Sequence, residues 1–220
     1  GFLGIQQDIH FAAGLLGLCT TFWAQSTTAN IRSLTALFTA LCLALLVRWG
    51  ETRSPRHLVA FGACFGLGLG HHLSIGLLGI PFLIYILIHE PHIIMEPRRW
   101  VAPLAAFAAS FVVLLYLPIR SLMGAPFDPA PIRSWADFVD HVLALGFRGD
   151  MFHFRTLTEL IARLGVWLNI VHLQFGLISP LIALLAISPL GKRNWRTLML
   201  LLGVLAIITL TAITYRAPQT

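Results

Sequence analysis

Charged residues are scarce in this chain, 11% of the sequence against about a quarter of an average soluble domain. Too few exist to clothe a water-facing surface, which excludes an ordinary soluble globule. Acidic residues are the scarcer sign, 9 against 15 Lys and Arg. The basic residues sit in short loops beside apolar stretches rather than along one polar face with interleaved aromatics, so nucleic-acid binding is excluded. Anionic lipid headgroups are the natural counter-charge for such flanks. Cysteine is limited to Cys19, Cys42 and Cys64, each embedded in apolar sequence without a CxxC pair, and the expectation is buried free thiols rather than a disulfide. The chain has no P-loop, no Ser/His/Asp order and no HExxH, and His89, Glu90, His92 and Glu96 lack a metal-ligand spacing. No metal and no cofactor is expected. Gly1 is preceded by no start Met and followed by no charged n-region, so the expectation is a fragment of a longer protein.

What the chain has in abundance is apolar sequence. A membrane helix needs about 20 mostly apolar residues, with a range of about 17 to 25, and seven stretches qualify or come close: 9–27, 31–49, 57–71, 73–88, 99–119, 165–188 and 197–215. The predicted fold class is all-α, a polytopic transmembrane bundle of about seven spans. The third and fourth stretches are short, and form either a tight hairpin around His71 and His72 or a pair of half-spans. Residues 1–119 make the main bundle, 120–163 a non-cytoplasmic loop carrying short amphipathic helices, and 164–220 two further spans. Arg48, Arg53 and Arg56 share one loop, Arg98 and Arg99 the next but one, and Lys192, Arg193 and Arg196 another. Counting through the spans puts all three on one side, which the positive-inside rule makes cytoplasmic.

The long connection on the other side is expected to be organised. Ser134 with Asp137 is a capping-box-like helix start, and Trp135, Phe138, Val139, Val142 and Leu145 then recur at helical spacing. That pattern fits an amphipathic helix at the interface. Thr156 and Glu159 repeat the start signal before a helix expected to enter the membrane near Gly165, with a kink at Pro180.

Several residues on that side can carry chemistry. Arg120 ends an apolar span behind Pro118, where its guanidinium either grips a lipid-linked phosphate in a bidentate fork or snorkels as a helix anchor. His71 and His72 follow Phe65-Gly66-Leu67-Gly68-Leu69-Gly70, whose glycines allow close helix approach. Adjacent imidazoles diverge on a helix, so the pair suits hydrogen bonding to phosphate, or interfacial capping, better than metal chelation. The glycine run lacks the spacing and the preceding strand of a dinucleotide fingerprint. Trp23 is placed as an interface anchor beside the amide of Gln25. Asn169, His172, Gly176 and Ser179 fall on one helical face, as packing polar groups or as a cavity lining.

Thr21-Phe22-Trp23-Ala24-Gln25-Ser26, Leu34 to Phe38, Arg48-Trp49, the glycine run with His71 and His72, Tyr116-Leu117-Pro118-Ile119-Arg120 and, more loosely, Pro131 to Arg148 occur in an order and spacing that resemble a multispanning membrane family long filed as a domain of unknown function. It is grouped with the C-type glycosyltransferases, which use polyprenyl-phosphate sugars, and is protein O-mannosyltransferase-like. The resemblance covers roughly the first two thirds of the chain. It implies a lipid-linked sugar donor bound at the non-cytoplasmic face, a protein or glycan acceptor, Arg120, His71 and His72 as phosphate contacts, and Trp23 and Gln25 near sugar or lipid. The catalytic Asp of that fold is expected in a loop upstream of Gly1, which would leave this fragment inactive alone. In place of the family's Glu-Val-Tyr the chain reads Asn30-Ile31-Arg32, exchanging a carboxylate for a cation. The expected localisation is an integral membrane, that of the bacterial plasma membrane. The competing readings are a transporter or flippase-like module and a non-catalytic scaffold; no internal repeat of the transporter kind is found.

Overall fold

The protein is described by a computed structural model over residues 31–124, 131–143 and 152–216, with Gly14, Gly17, Trp23, Ala24, Thr27 and Leu145 as isolated positions. Within these residues the chain is helical and forms no strand. Helix α1 spans Ile31–Thr52 and α2 Pro55–His71; a 3-10 turn, Leu73–Leu78, leads into α3, Gly79–His89. A second 3-10 turn, Pro91–Met95, precedes α4, Pro97–Ser110, which tightens into 3-10 geometry over Phe111–Leu115 and ends as α5, Tyr116–Leu122. The remaining helices are α6, Trp135–Val142; α7, Leu157–Phe175; and α8, Ile178–Thr214.

Local chemistry explains these boundaries. Pro55, Pro91 and Pro97 stand at helix starts, where a missing N–H removes no intrahelical bond. Arg53 stops α1 by adopting φ 55° while its N–H returns 2.8 Å to the carbonyl of Trp49, an αL cap on a residue other than glycine. Pro118 cannot donate to the carbonyl four residues earlier and its ring crowds that carbonyl, which accounts for the tightened turn just before it.

Helix α2 is the centre of the bundle, packed between α1 and α4. Gly62, Gly66 and Gly70 recur every fourth residue and face α4. A Cβ on Gly62 would strike the carbonyl oxygen of Pro103; one on Gly66 would strike Ser110 Oγ and come 2.7 Å from the carbonyl oxygen of Phe107; one on Gly70 would sit at an ordinary 3.6 Å from Leu114. Gly68 faces the other way, against Phe38 of α1 at 3.0 Å. The close approach expected of the glycine run is therefore present. The pairing of 62 with 103, 66 with 107 and 70 with 114 makes α2 and α4 parallel, while α1 runs against them. Phe61 and Phe65 stack beside this contact, and Phe82 of α3 meets both rings edge-on at 5.5 and 5.8 Å. Cys42 and Cys64 are buried free thiols whose sulfurs lie 3.7 Å apart across the α1–α2 seam.

Among the described residues three helices are long and apolar enough to cross a membrane, Arg32–Thr52, Pro97–Leu122 and Ile178–Thr214, beside the shorter apolar segment Leu73–His89. This is fewer than the seven expected, and each difference has a cause. The 9–27 stretch, apart from five isolated positions, lies outside the described residues. Helix α2 has only 17 residues, and the stretch after it spends its first turn in 3-10 geometry and keeps 11 residues of α-helix. His71 and His72 thus occupy a hairpin turn. The expected sixth span is cut in two at Gly176, with φ 63°, so Pro180 falls in the first turn of α8 rather than kinking a continuous span. Its remaining half merges with the seventh into the 37 residues of α8, interrupted by the extended backbone of Asn194, φ −154°, ψ 78°. The break also dissolves the predicted polar face: Asn169, His172 and Gly176 are exposed, and Ser179 lies beyond the break.

Both capping boxes expected in the long connection are formed. Ser134 Oγ accepts from the N–H of Asp137 at 3.2 Å and Thr156 Oγ1 from that of Glu159 at 3.4 Å, and each carboxylate accepts its cap's N–H in return. The connection returns to the bundle where Arg163, 5.0 Å from the centre of the Phe154 ring, donates to the carbonyls of Ala212 and Tyr215 at the end of α8, a cation at a helix C-terminus. Exposed apolar residues cover the outer helix faces, Val112, Val113, Leu184 and Leu185 among them. Such a continuous surface suits lipid rather than water.

The glycine contacts separate two substitutions. Gly62→Ala should cost about 1–3 kcal/mol as the backbones are forced apart, whereas Gly70→Ala should be neutral or slightly stabilising; detergent or urea unfolding monitored by helical circular dichroism reads both. Equal effects would remove the close approach of α2 and α4 as the reason for these glycines.

Candidate functional site

The two ends of the bundle differ in chemistry. At one, Arg53, His89 and Arg196 gather around Trp49 and Tyr85, so the basic loops after α1 and within α8 share an end, as counted from the sequence. The start of α1, the end of α2 and the 3-10 turn after it form the opposite end, where His71 and His72 lie.

His72 is held in extended backbone geometry, φ −152°, ψ 121°, between α2 and the turn. Its own N–H closes α2 on the carbonyl of Gly68 at 2.9 Å, and its Nδ1 accepts the backbone N–H of Ser74 at 3.3 Å. Ser74 Oγ lies 2.6 Å from the same nitrogen. An Nδ1 that accepts is unprotonated, so the neutral ring carries its hydrogen on Nε2 and offers one N–H donor. Burial, then the neighbouring His71, then Arg32 push the His72 imidazole below its ordinary value, each disfavouring a further positive charge. His72 is therefore a neutral, positioned hydrogen-bond donor beside a permanent cation. The His71 ring leans on Phe38 of α1, centroids 6.1 Å apart.

Arg32 was legible in the sequence only as a departure from a family pattern; the structure brings it into this cluster. Ser74, which orients His72, carried no sequence signal at all beyond its place two residues after a histidine.

The other expected contacts are distributed elsewhere. Arg120 is exposed in the last turn of α5. It makes no hydrogen bond or ion pair among the described residues and is not among the charges acting on His72. Its helix forms one wall of a groove of about 320 Å³ lined by Leu115, Pro118, Leu122, Ile132, Trp135 and Phe138, with Arg133 and Ser134 at its polar side. Ser121 Oγ closes the groove by accepting the N–H of Ile132 at 2.9 Å. Trp23 is exposed, and its indole N–H donates within its own segment to the carbonyl of Gly17. Gln25 lies outside the described residues.

Two carboxylates near this end are committed to structure, while Asp140 of α6 is exposed. Asp137 Oδ2 accepts the backbone N–H groups of Ser134 at 2.8 Å and Arg133 at 3.0 Å. The bond with the Ser134 side chain, then these backbone bonds, hold it below the usual carboxylate range, and Glu159 is lowered in the same way by Thr156. A carboxylate so stabilised as an anion is a poor proton acceptor. Asp128 and Asp150 lie outside the described residues.

Residues 7–94 match the family model described as the Protein O-mannosyl-transferase TMEM260 N-terminal domain. The matched segment, less than half of the chain, is thus similar to a domain of a protein O-mannosyltransferase family. It includes Trp23, Gln25, Arg32, His71, His72 and Ser74 and stops short of Arg120. No curated protein and no solved structure matches the chain.

His72 yields a direct test. In ring-labelled protein its imidazole should titrate below 6.5; Arg32→Gln should move the midpoint upward, and Arg120→Gln should leave it in place. The sign for stability follows: the folded state binds fewer protons than the unfolded chain in this window, so the contribution of His72 is complete above its ordinary value and declines as the pH falls from there toward the folded value. An unchanged midpoint in Arg32→Gln would remove Arg32 from the cluster.

Proposed function

We propose that this chain is part of an integral membrane glycosyltransferase that transfers a sugar from a polyprenyl-phosphate donor to a protein or glycan acceptor at the non-cytoplasmic face, and that the end bearing Arg32, His71 and His72 faces that side. The observation that carries the reading is the neutral His72 donor, oriented by Ser74 next to Arg32, at the end opposite the basic loops. The similarity of residues 7–94 to an O-mannosyltransferase-related domain supports it. The opposite end, with Arg53 and Arg196, is assigned to the cytoplasm by the positive-inside rule.

In such a transfer the acceptor oxygen attacks the anomeric carbon of the donor sugar. The bond from that carbon to the phosphate oxygen breaks with its electron pair, and the polyprenyl phosphate departs with one more negative charge. Arg32 and the Nε2–H of His72 suit that developing charge, since fixed donors and cations act most strongly where water is scarce. Arg120 is assigned a second phosphate or headgroup contact, with Trp23 and Gln25 toward sugar or lipid. The acceptor proton must pass to a carboxylate. Asp137 and Glu159 are occupied as helix caps, and the base is assigned, on the family resemblance alone, to an Asp of the full-length protein outside this segment, so that the segment alone is expected to be inactive.

The test incubates the full-length protein with radiolabelled polyprenyl-phosphate sugars and follows label into protein or glycan. His72→Ala and Arg120→Ala should each weaken donor use about tenfold or more, the magnitude of a lost charge-assisted or positioned hydrogen bond. Donor affinity and turnover untouched by Arg120→Ala would remove that residue from the site. No incorporation from any donor, with well-folded protein, would favour a transport module instead.

A further inference from the structure

The basic end of the bundle is crowded. Arg53 lies with its guanidinium 5.1 Å from the centre of the Trp49 ring. His89 completes the wall, its ring 6.0 Å from that of Trp49 and 4.2 Å from that of Tyr85. Gly50 is what lets them close up, since a Cβ there would strike the Tyr85 hydroxyl and approach His89 Nε2 at 3.1 Å. From the other side comes the break in α8: Asn194 leaves helical geometry and caps the following segment through Oδ1, 3.1 Å from the N–H of Thr197. This turn lays the Arg196 guanidinium 5.7 Å from the centre of the Trp195 ring, where its charge acts on both Tyr85 and His89, and Thr197 is the hydroxyl partner of Tyr85. The Nε of Arg196 is buried at this break without a partner.

Buried donors rarely remain unsatisfied without a reason. The local charge balance supplies one. Glu51 pairs with Arg48 at 3.3 Å, and Glu90 and Glu96 both pair with Arg99, at 3.0 and 2.7 Å. Of the described carboxylates at this end, Glu51, Glu90 and Glu96, each is thus taken, and Arg53, Arg56, Arg98, Lys192, Arg193 and Arg196 make no ion pair among the described residues. Only Arg53 and Arg196 of these flank a common aromatic wall. Trp195, half exposed beside them, sits where interfacial tryptophans meet lipid headgroups.

We propose that the crevice between the end of α1, the end of α3 and the Asn194 break of α8 binds the phosphoryl group of an anionic membrane lipid, held between the guanidinium groups of Arg53 and Arg196. A phosphate carries enough acceptor oxygens to take donors from both arginines at once. The site lies at the opposite end of the bundle from the one assigned to the sugar donor and is independent of it.

Full-length protein in neutral detergent, titrated with phosphatidic acid, with phosphatidylcholine and with inorganic phosphate and read by native mass spectrometry, tests the proposal. Phosphatidic acid should be retained about tenfold more tightly than phosphatidylcholine, and the double variant Arg53→Gln with Arg196→Gln should lose about tenfold of that retention. Arg98→Gln with Lys192→Gln, which removes two cations from outside the crevice, should change it by less than about twofold. Equal losses in the two double variants would overturn the crevice in favour of a diffuse basic surface. Inorganic phosphate bound as tightly as phosphatidic acid would overturn the lipid assignment. Circular dichroism of each variant verifies that the helices are retained.

Discussion

Everything in this bundle depends on how closely α2 can lie against α4. Lipid tails are as apolar as leucine, so two helices in a membrane gain little from hiding apolar surface from each other and must gain instead from close packing. Gly62 and Gly66 make that possible by removing the side chains that would strike the carbonyls of Pro103 and Phe107. Pro103 contributes in turn: buried inside α4, it presents a backbone surface rather than a flexible side chain. With this seam in place, α1 closes on the other side through Phe38 and the Cys42–Cys64 contact, and Phe82 of α3 fills the remaining angle.

The same seam places the chemistry. Because α2 and α4 run in parallel, both begin at the arginine-rich end and both finish at the other, so the histidine pair and the exit of α5 are carried to one boundary. The 3-10 turn at Leu73–Leu78 then fixes His72 more tightly than a helix end would, since Ser74 engages the imidazole with both its backbone and its hydroxyl. A polar residue at a turn becomes a defined donor there. The two boundaries thus carry different solutions to charge: a neutral imidazole beside one cation at one end, and unpaired guanidinium groups against an aromatic wall at the other.

Much of this was legible in the sequence, and the misses have physical causes. Capping boxes are local, so Ser134 with Asp137 and Thr156 with Glu159 could be read directly, as could the close approach implied by the glycine run. That the basic loops after α1 and within α8 share one end of the bundle was legible, because alternation of apolar stretches returns the chain to the same end. The span count was not legible, because hydropathy cannot distinguish an apolar 3-10 turn from an α-helix, nor reveal that Gly176 takes a positive φ. Arg32 was visible only as an anomaly, since its nearness to His72 comes from the antiparallel course of α1 and α2. Arg120 is not among the charges that act on His72, and its helix walls the groove against 132–138.

Helix α8 carries a geometric demand of its own. At 1.5 Å per residue its 37 residues would reach about 56 Å as a straight rod, nearly twice the thickness of a hydrocarbon core. A rod of that length meets severe hydrophobic mismatch, and tilt alone relieves only part of it. The extended residue at Asn194 acts as an articulation that divides the rod into a shorter segment, 178–193, and a membrane-length one, 195–214, with Lys192, Arg193 and Arg196 gathered at the joint. An asparagine there, whose amide can start a new helix as the old one ends, lets a single continuous element obey the depth of the bilayer.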